Sequence, residues 1–337
     1  MLPGTTAAAA VRRATVVPEW RTALAALRLH SRVRWDESLK RLNTWRIGGV
    51  ADCVVDVQSL DDLAQLLPFI QKQRVPWTVI GKGSNLLVPD EGWRGLVLHL
   101  GKGFKDWVPL EAPQTVRVGA ALADVTFAQR CIEPGWGGME FLVGVPGTIG
   151  GAVAMNAGAH GGEIVDFLRE VYWLDMGGNL RHAPAEAIEF HYRFSGLNAC
   201  NGVLVTHATF ELRESQPPEV RKQVDAYLRF REEKQPRNQP NCGSVFKNPE
   251  NDHAARLIEA SGLKGAVRGG MQISSLHANF IVNRGEGTAA DALALIEQAQ
   301  ERVFQDHGIR LEPEVQHLKP LPFETLVPPP ASSSPVS

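Results

Sequence analysis
The sequence predicts an α+β chain with a C-terminal α/β unit, and three features point to it. At 337 residues and 36.8 kDa the chain exceeds the size at which one hydrophobic core keeps growing, so two or three domains are expected. Short β-rich runs mix with helical patterns through the first two thirds, and strands and helices follow one another in a second set near the end. Between them, Pro217 and Pro218 open a stretch in which Val220, Val224 and Leu228 recur every four residues until Pro236 ends it, a helix that separates two parts.

In chain order, residues 51–57 form a strand. Ser59 then opens a helix, with Asp62 at capping-box spacing and Leu63, Leu67 and Ile70 as its buried stripe. Residues 77–80 are a strand leading into Gly81, Lys82, Gly83, Ser84 and Asn85, and 86–88 resume as strand. Further strands are expected at 95–100, around Val116 and Val118, at 170–175 and at 203–212, with a helix over 122–131. The last third gives a loop at 240–249, a helix at 254–260 stopped by Gly262, strands at 271–274 and 279–282, a helix at 289–306 and a strand at 309–315. The Ala-rich first thirty or so residues and the Pro- and Ser-rich end read as tails. The expected division is an N-terminal extension 1–32, a first region 33–215, a C-terminal domain 216–318 and a tail 319–337.

Composition excludes several function classes. With 44% hydrophobic and 21% charged residues the chain buries enough apolar surface to fold. Its 35 Lys plus Arg nearly balance 37 Asp plus Glu, so no basic field collects phosphate backbones and nucleic acid is not an expected partner. Cys53, Cys131, Cys200 and Cys242 form no CxxC pair, which fits a reducing cytoplasm, and the ten histidines show no HExxH or HxH spacing, so no metal is expected. Arg12 and Arg13 follow the run of Ala7 to Ala10 with no apolar segment after them, which is not a signal peptide. The longest uncharged stretch, 141–162, contains Pro146 and seven glycines, so a glycine-rich loop is expected there rather than membrane insertion.

Six segments could carry chemistry. The alternate glycines of 81–85 let backbone N–H groups converge on an anion, with Ser84 and Asn85 as side-chain donors; the competing reading is a tight turn. Residues 144–162, GVPGTIGGAVAMNAGAHGG, let backbone approach a flat or charged ligand, or another backbone. Arg193, between Tyr192 and Phe194 and before Ser195, is on local grounds a surface ion-pair donor. In 240–249, PNCGSVFKNP, Ser244, Lys247 and Asn248 crowd one turn, and Cys242 is a buried bystander rather than a nucleophile. In 311–315, LEPEV, Glu312 and Glu314 share one face and default to solvated carboxylates. His277 and Asn279 enter a strand in SSLHANFIVN, where a satisfied core histidine is the commoner outcome.

Taken in order, NTWRIGG at 43–49, IGKGSNLLV at 80–88, GVPGTIGGAVAMNAGA, YRFS, CGSVFKNP, HANFIVN and LEPEV resemble the UDP-N-acetylenolpyruvoylglucosamine reductases, the flavoenzymes also called UDP-N-acetylmuramate dehydrogenases. The resemblance spans residues 34–315 and fits the shorter branch, without the tyrosine-bearing loop that another branch folds over substrate. Val145 and Leu318 depart from the usual motif residues. It implies an FAD-binding fold of the vanillyl-alcohol-oxidase type with a C-terminal substrate domain, non-covalent FAD, NADPH as hydride donor and a UDP-sugar enolpyruvyl ether as substrate. It places FAD on Gly81, Lys82, Gly83, Ser84, Asn85, Gly147, Thr148, Gly150 and Gly151. It makes Arg193, Ser244 and Glu314 catalytic: a cation for the substrate carboxylate, a proton donor, and an acid that helps only when protonated. Lys247 and Asn248 are the expected diphosphate donors, Tyr192 lines the pocket, and Asn279 is a further substrate contact. A monomer or weak oligomer is expected. Two other readings stay open: a flavin oxidoreductase acting on an alcohol or hydroxy acid, although His160 and His182 sit in no flavin-attachment motif, and a nucleotide-binding module without redox chemistry.

Overall fold
A computed structural model of the chain describes residues 18–197 and 203–319. Cys200 and most of both tails therefore lie outside the described residues. Part of the expected N-terminal tail is ordered structure: α1 (Glu19–Ala25) buries Leu24 and packs Trp20 and Ala23 on the first core. Its signal is short, because only one turn and a half of helix carries apolar residues.

The first sheet starts with β1 (Arg32–Ser38), antiparallel to β2 (Val50–Val57). The mostly polar β1, which has no regular apolar alternation, is hidden in the sequence as an edge strand. Helix α2 (Leu60–Gln73) follows, capped as expected by Ser59, whose Oγ accepts from the Asp62 N–H at 3.1 Å. It buries Leu63, Leu66, Leu67 and Ile70. Then β3 (Trp77–Val79) and β4 (Trp93–Leu100) complete the order β1-β2-β4-β3, with β4 parallel to both neighbours.

The second sheet is antiparallel throughout. It contains β5 (Trp107–Pro109), β6 (Thr115–Gly119), β7 (Leu168–Leu174), β8 (Leu180–Pro184) and β9 (Leu204–Glu211), in the order β8-β7-β9-β6-β5. Helix α3 (Asp124–Arg130) lies inside the expected 122–131. The stretch expected to be a glycine-rich loop instead contains α4 (Ile149–Met155), which ends at Asn156 in the left-handed region, φ 44°. Gly150 and Gly151 depress its helix propensity, and packing overrides that: Ile149, Ala152 and Val153 are buried.

Helix α5 (Pro217–Lys234) starts on its prolines as expected, but Val220 and Val224 belong to the first core. The second core therefore does not begin at 216. It gathers Cys242, Val245, Phe246 and later residues, with α6 (Ala254–Ala260), the antiparallel sheet β10 (Val267–Arg268), β11 (Met271–Ile273) and β12 (Ile281–Asn283), and α7 (Ala289–His307). It also takes Trp45, Ile47 and Leu87 from the N-terminal half. The expected strand at 309–315 is an extended segment with an isolated bridge from Pro313 to Phe246, because two prolines in the paired segments interrupt the ladder.

Candidate active site
The two glycine-rich segments meet. An added Cβ at Gly81 would lie 2.7 Å from Thr148 Oγ1, and Gly83, with φ +62°, passes so close to the Leu42 carbonyl that a Cβ would sit 2.1 Å from it. Between the loops and the two sheets runs a cavity of about 290 Å³, walled by Val79, Ile80, Ala120, Ala121, Thr148, Gly150, Gly151 and Val205. Gly150 donates to the Ala120 carbonyl at 2.8 Å and Ile149 to that of Leu122 at 3.0 Å, which pins the 147–151 segment beside residues 120–124. The N–H groups of Gly81, Lys82, Gly83 and Ser84 have no protein acceptor among the described residues. Unpaired donors, the exposed Lys82 and apolar walls suit a flat ring system attached to a diphosphate, so these residues fit a flavin dinucleotide.

Arg193 and Glu314 come together from 121 residues apart. Arg193 sits at φ 56° in a turn between the two-residue strands Phe190–His191 and Phe194–Ser195, and its Nε donates to Glu314 Oε1 at 3.1 Å. Nη2 donates to the Gly158 carbonyl at 2.6 Å, and Nη1 is 3.6 Å from Glu163 Oε1. Neither partner of this second set, Gly158 or Glu163, was expected from the sequence; a glycine and a glutamate in GAHGGE carry no distinguishing pattern. Burial pushes the Glu314 carboxyl up from its ordinary value, against the opposing pull of the Arg193 and Lys247 charges.

Ser244 reaches this pair through the backbone. The Val245 carbonyl accepts from the Glu314 N–H at 2.8 Å, and the Lys247 N–H donates to the Glu312 carbonyl at 2.9 Å. This pairing separates the two glutamates: Glu312 is exposed and holds Lys247 Nζ at 2.6 Å, while Glu314 turns to Arg193. The Cys242 thiol is buried and pushed well up, chiefly by burial and then by the Glu314 charge, which leaves it un-nucleophilic.

The remaining expected contacts divide. Tyr192 is half exposed, with the Arg193 guanidinium 4.6 Å from its ring centroid. Asn248 is exposed, and its Oδ1 accepts from the Ala254 N–H at 3.1 Å at the start of α6. Asn279 is buried with its carboxamide committed to backbone: its Oδ1 accepts from the Phe246 N–H at 2.9 Å and its Nδ2 donates to the Phe246 carbonyl at 2.8 Å, so it clamps the segment that carries Ser244. His277 is half-buried rather than a core histidine; its Nδ1 accepts from the Asn279 N–H at 3.3 Å, and its pKa is lowered chiefly by burial. Asn85 links the halves, donating from Nδ2 to the Glu314 carbonyl at 3.1 Å and accepting from the Gln316 N–H at 3.0 Å. The 81–85 loop and the segment carrying Glu314 are thus one hydrogen-bonded unit.

Comparison with known proteins gives the family. Residues 51–183 match the family model of an FAD binding domain, and residues 235–318 that of the C-terminal domain of UDP-N-acetylenolpyruvoylglucosamine reductase. The reductase of that name from Halalkalibacterium halodurans is 41% identical over 284 residues, covering 84% of this chain and 93% of the relative. That from Geobacter metallireducens is 41% identical over 288 residues, covering 86% and 94%. This chain belongs to the UDP-N-acetylenolpyruvoylglucosamine reductase family. The crystal structure of the family's enzyme from Thermus caldophilus superposes with a TM-score of 0.74 at 34% identity, covering 85% of this chain and 99% of that one. As a member of the reductase family the chain is an FAD-dependent oxidoreductase with the expected FAD-binding fold and C-terminal domain. Among the described residues no helix is long and apolar enough to cross a membrane.

Proposed function
We propose that this protein reduces the enolpyruvyl group of UDP-N-acetylglucosamine enolpyruvate to UDP-N-acetylmuramate, a step of peptidoglycan precursor synthesis in the cytoplasm. The supporting observation is the bond between Asn85 of the glycine loop and the Glu314 carbonyl, which brings the Arg193–Glu314 pair and the Ser244 segment beside the cavity proposed for the flavin. Bound FAD would supply hydride-transfer chemistry, with NADPH as donor and the terminal carbon of the enolpyruvyl double bond as acceptor.

The chain's own residues handle charge and protons. As that carbon gains hydride, negative charge moves onto the substrate carboxylate, where the Arg193 fork pairs with it; a preorganised donor of this kind is worth about 3 kcal/mol. Glu314 contributes as a neutral acid, because an ionised carboxylate beside the same guanidinium would oppose the growing charge. Ser244 Oγ gives its proton to the carbon alpha to the carboxylate, which completes the C–H pair. Lys247, with Asn248 and Tyr192 nearby, meets the substrate's UDP end. The protein acts as a monomer or weak oligomer.

The expected preparation is yellow, releases its flavin on denaturation, and is bleached by NADPH and reoxidised by the enolpyruvyl sugar nucleotide. Ser244→Ala should leave reduction by NADPH intact and slow the sugar half-reaction by about 10²–10⁴-fold. Equal slowing of both halves would remove Ser244 from the acid role. A colourless protein that takes up no added FAD would reject the redox reading.

A further inference from the structure
Asp124 stands apart from every group assigned so far. It is the first residue of α3, its side chain is fully buried, and neither carboxyl oxygen has a hydrogen-bond partner. The cofactor cradle lies against it on two sides. An added Cβ at Gly147 would fall 2.3 Å from Asp124 Oδ2 and 3.9 Å from Ser84 Oγ, so the carboxyl is wedged between the loop 147–151 and the loop 81–85. The Gly147 N–H is committed to the Val145 carbonyl at 3.0 Å, and the Gly147 carbonyl accepts from the backbone N–H of Asp124 itself at 3.2 Å.

An ionised carboxylate in that position would have no formed hydrogen bond and would sit beneath two loops that the proposed function assigns to a diphosphate. Both facts favour the neutral form. Burial pushes the carboxyl well above the ordinary carboxylate range, while the Lys82 charge and the nearby Gly147 amide pull it back. Lys82 is the charged group that acts on it among the described residues; the 147–151 loop offers only backbone and the Thr148 hydroxyl, and Arg130 at the far end of α3 lies 6.0 Å from the Trp107 ring centroid.

We propose that Asp124 is a proton-bearing support of the FAD cradle, a neutral carboxyl packed between the two glycine loops that keeps them closed on the diphosphate. It is a positioning residue, since it acts through Gly147 and Ser84. Once Asp124 ionises, charge beneath the diphosphate opposes the cofactor, so retention weakens as pH rises through its folded value. The same proton has a second consequence. Because the folded pKa lies above the unfolded one, Asp124 lowers the fold's stability progressively as pH rises from the unfolded carboxylate range towards the folded value.

The experiment uses full-length holoprotein and its Asp124→Asn variant, with FAD release read as recovered free-flavin fluorescence from about pH 6 to about pH 9. Wild type should lose FAD about tenfold more readily at the alkaline end, and Asp124→Asn should hold it within about threefold of the wild-type neutral value throughout. The variant's Tm should match wild type near the carboxylate range and equal or exceed it at alkaline pH. Release at neutral pH tenfold easier in Asp124→Asn would show that an ionised Asp124 paired with Lys82 is what matters, and an unchanged alkaline rise in that variant would assign the titration to another group; either result would overturn the proposal. If Asp124→Asn does not fold, wild type and Lys82→Met decide: wild-type retention that stays flat across the range overturns the proposal, and an alkaline loss that moves to higher pH in Lys82→Met supports it, because removing that charge raises the Asp124 carboxyl further, whereas a loss that does not move overturns it.

Discussion
At Glu314 a single carboxyl answers to opposing influences. Burial favours its protonated form, and the guanidinium 3.1 Å away favours the ionised one, with burial prevailing. The folded pKa being raised, the proton is held below that value and lost as pH climbs through it. Turnover of the sugar substrate should therefore decline on the alkaline side, and Glu314→Gln, which keeps an N–H donor but no titrating proton, should abolish the decline. Glu314→Ala should slow that half-reaction about 10²–10³-fold. A pH profile of kcat/KM checks both; an alkaline limb that persists in Glu314→Gln would assign it elsewhere. Arg193 shows why the residue scale is the hardest to read from sequence. A local reading makes it a surface ion-pair donor, whereas its side chain is 15% exposed and its partners lie 35, 30 and 121 residues away.

Elements with their own local signals were the legible ones. The cap at Ser59 and the proline start of α5 depend on residues a few positions apart, and the Thr288 capping box of α7, its hydroxyl accepting from the Asp291 N–H at 3.0 Å, is a signal of the same kind that went unread. Strand β1 was missed because an edge strand exposed along both faces carries no alternation, and α4 because its helix rests on burial rather than propensity. The segment bearing Ser244 was legible as a motif and, as expected, is a loop, with only isolated bridges to its neighbours. Its conformation comes from Asn279, whose carboxamide pairs with both backbone groups of Phe246. Asn279→Ala leaves those two buried groups unpaired and should cost about 2 kcal/mol or more, read as a lower urea midpoint. FAD content should be unaffected, while the sugar half-reaction slows. An unchanged midpoint would mean the segment holds its shape without the clamp.

Across the whole molecule the two cores are tied by the NTWRIGG segment, whose motif gave the family but no structural task. Trp45 is fully buried in the second core, its indole N–H donates to the Ile281 carbonyl at 2.7 Å, and Thr44 Oγ1 donates to the Asn241 carbonyl at 2.6 Å. Trp45→Ala should destabilise the protein by about 3–5 kcal/mol and split chemical unfolding into two transitions, one following flavin and one following the C-terminal core. One transition at an unchanged midpoint would show that the cores are joined elsewhere. The pairing of Leu86–Leu87 with Gln316–His317, next to the Asn85–Glu314 bond across 229 residues, bears on how the enzyme is made in the cell. A nascent chain that has emerged only as far as the second core's helices presents the 81–85 loop without the strand that braces it. Flavin capture is therefore a late event, following translation of residues 313–318 rather than accompanying synthesis of the domain that grips the cofactor.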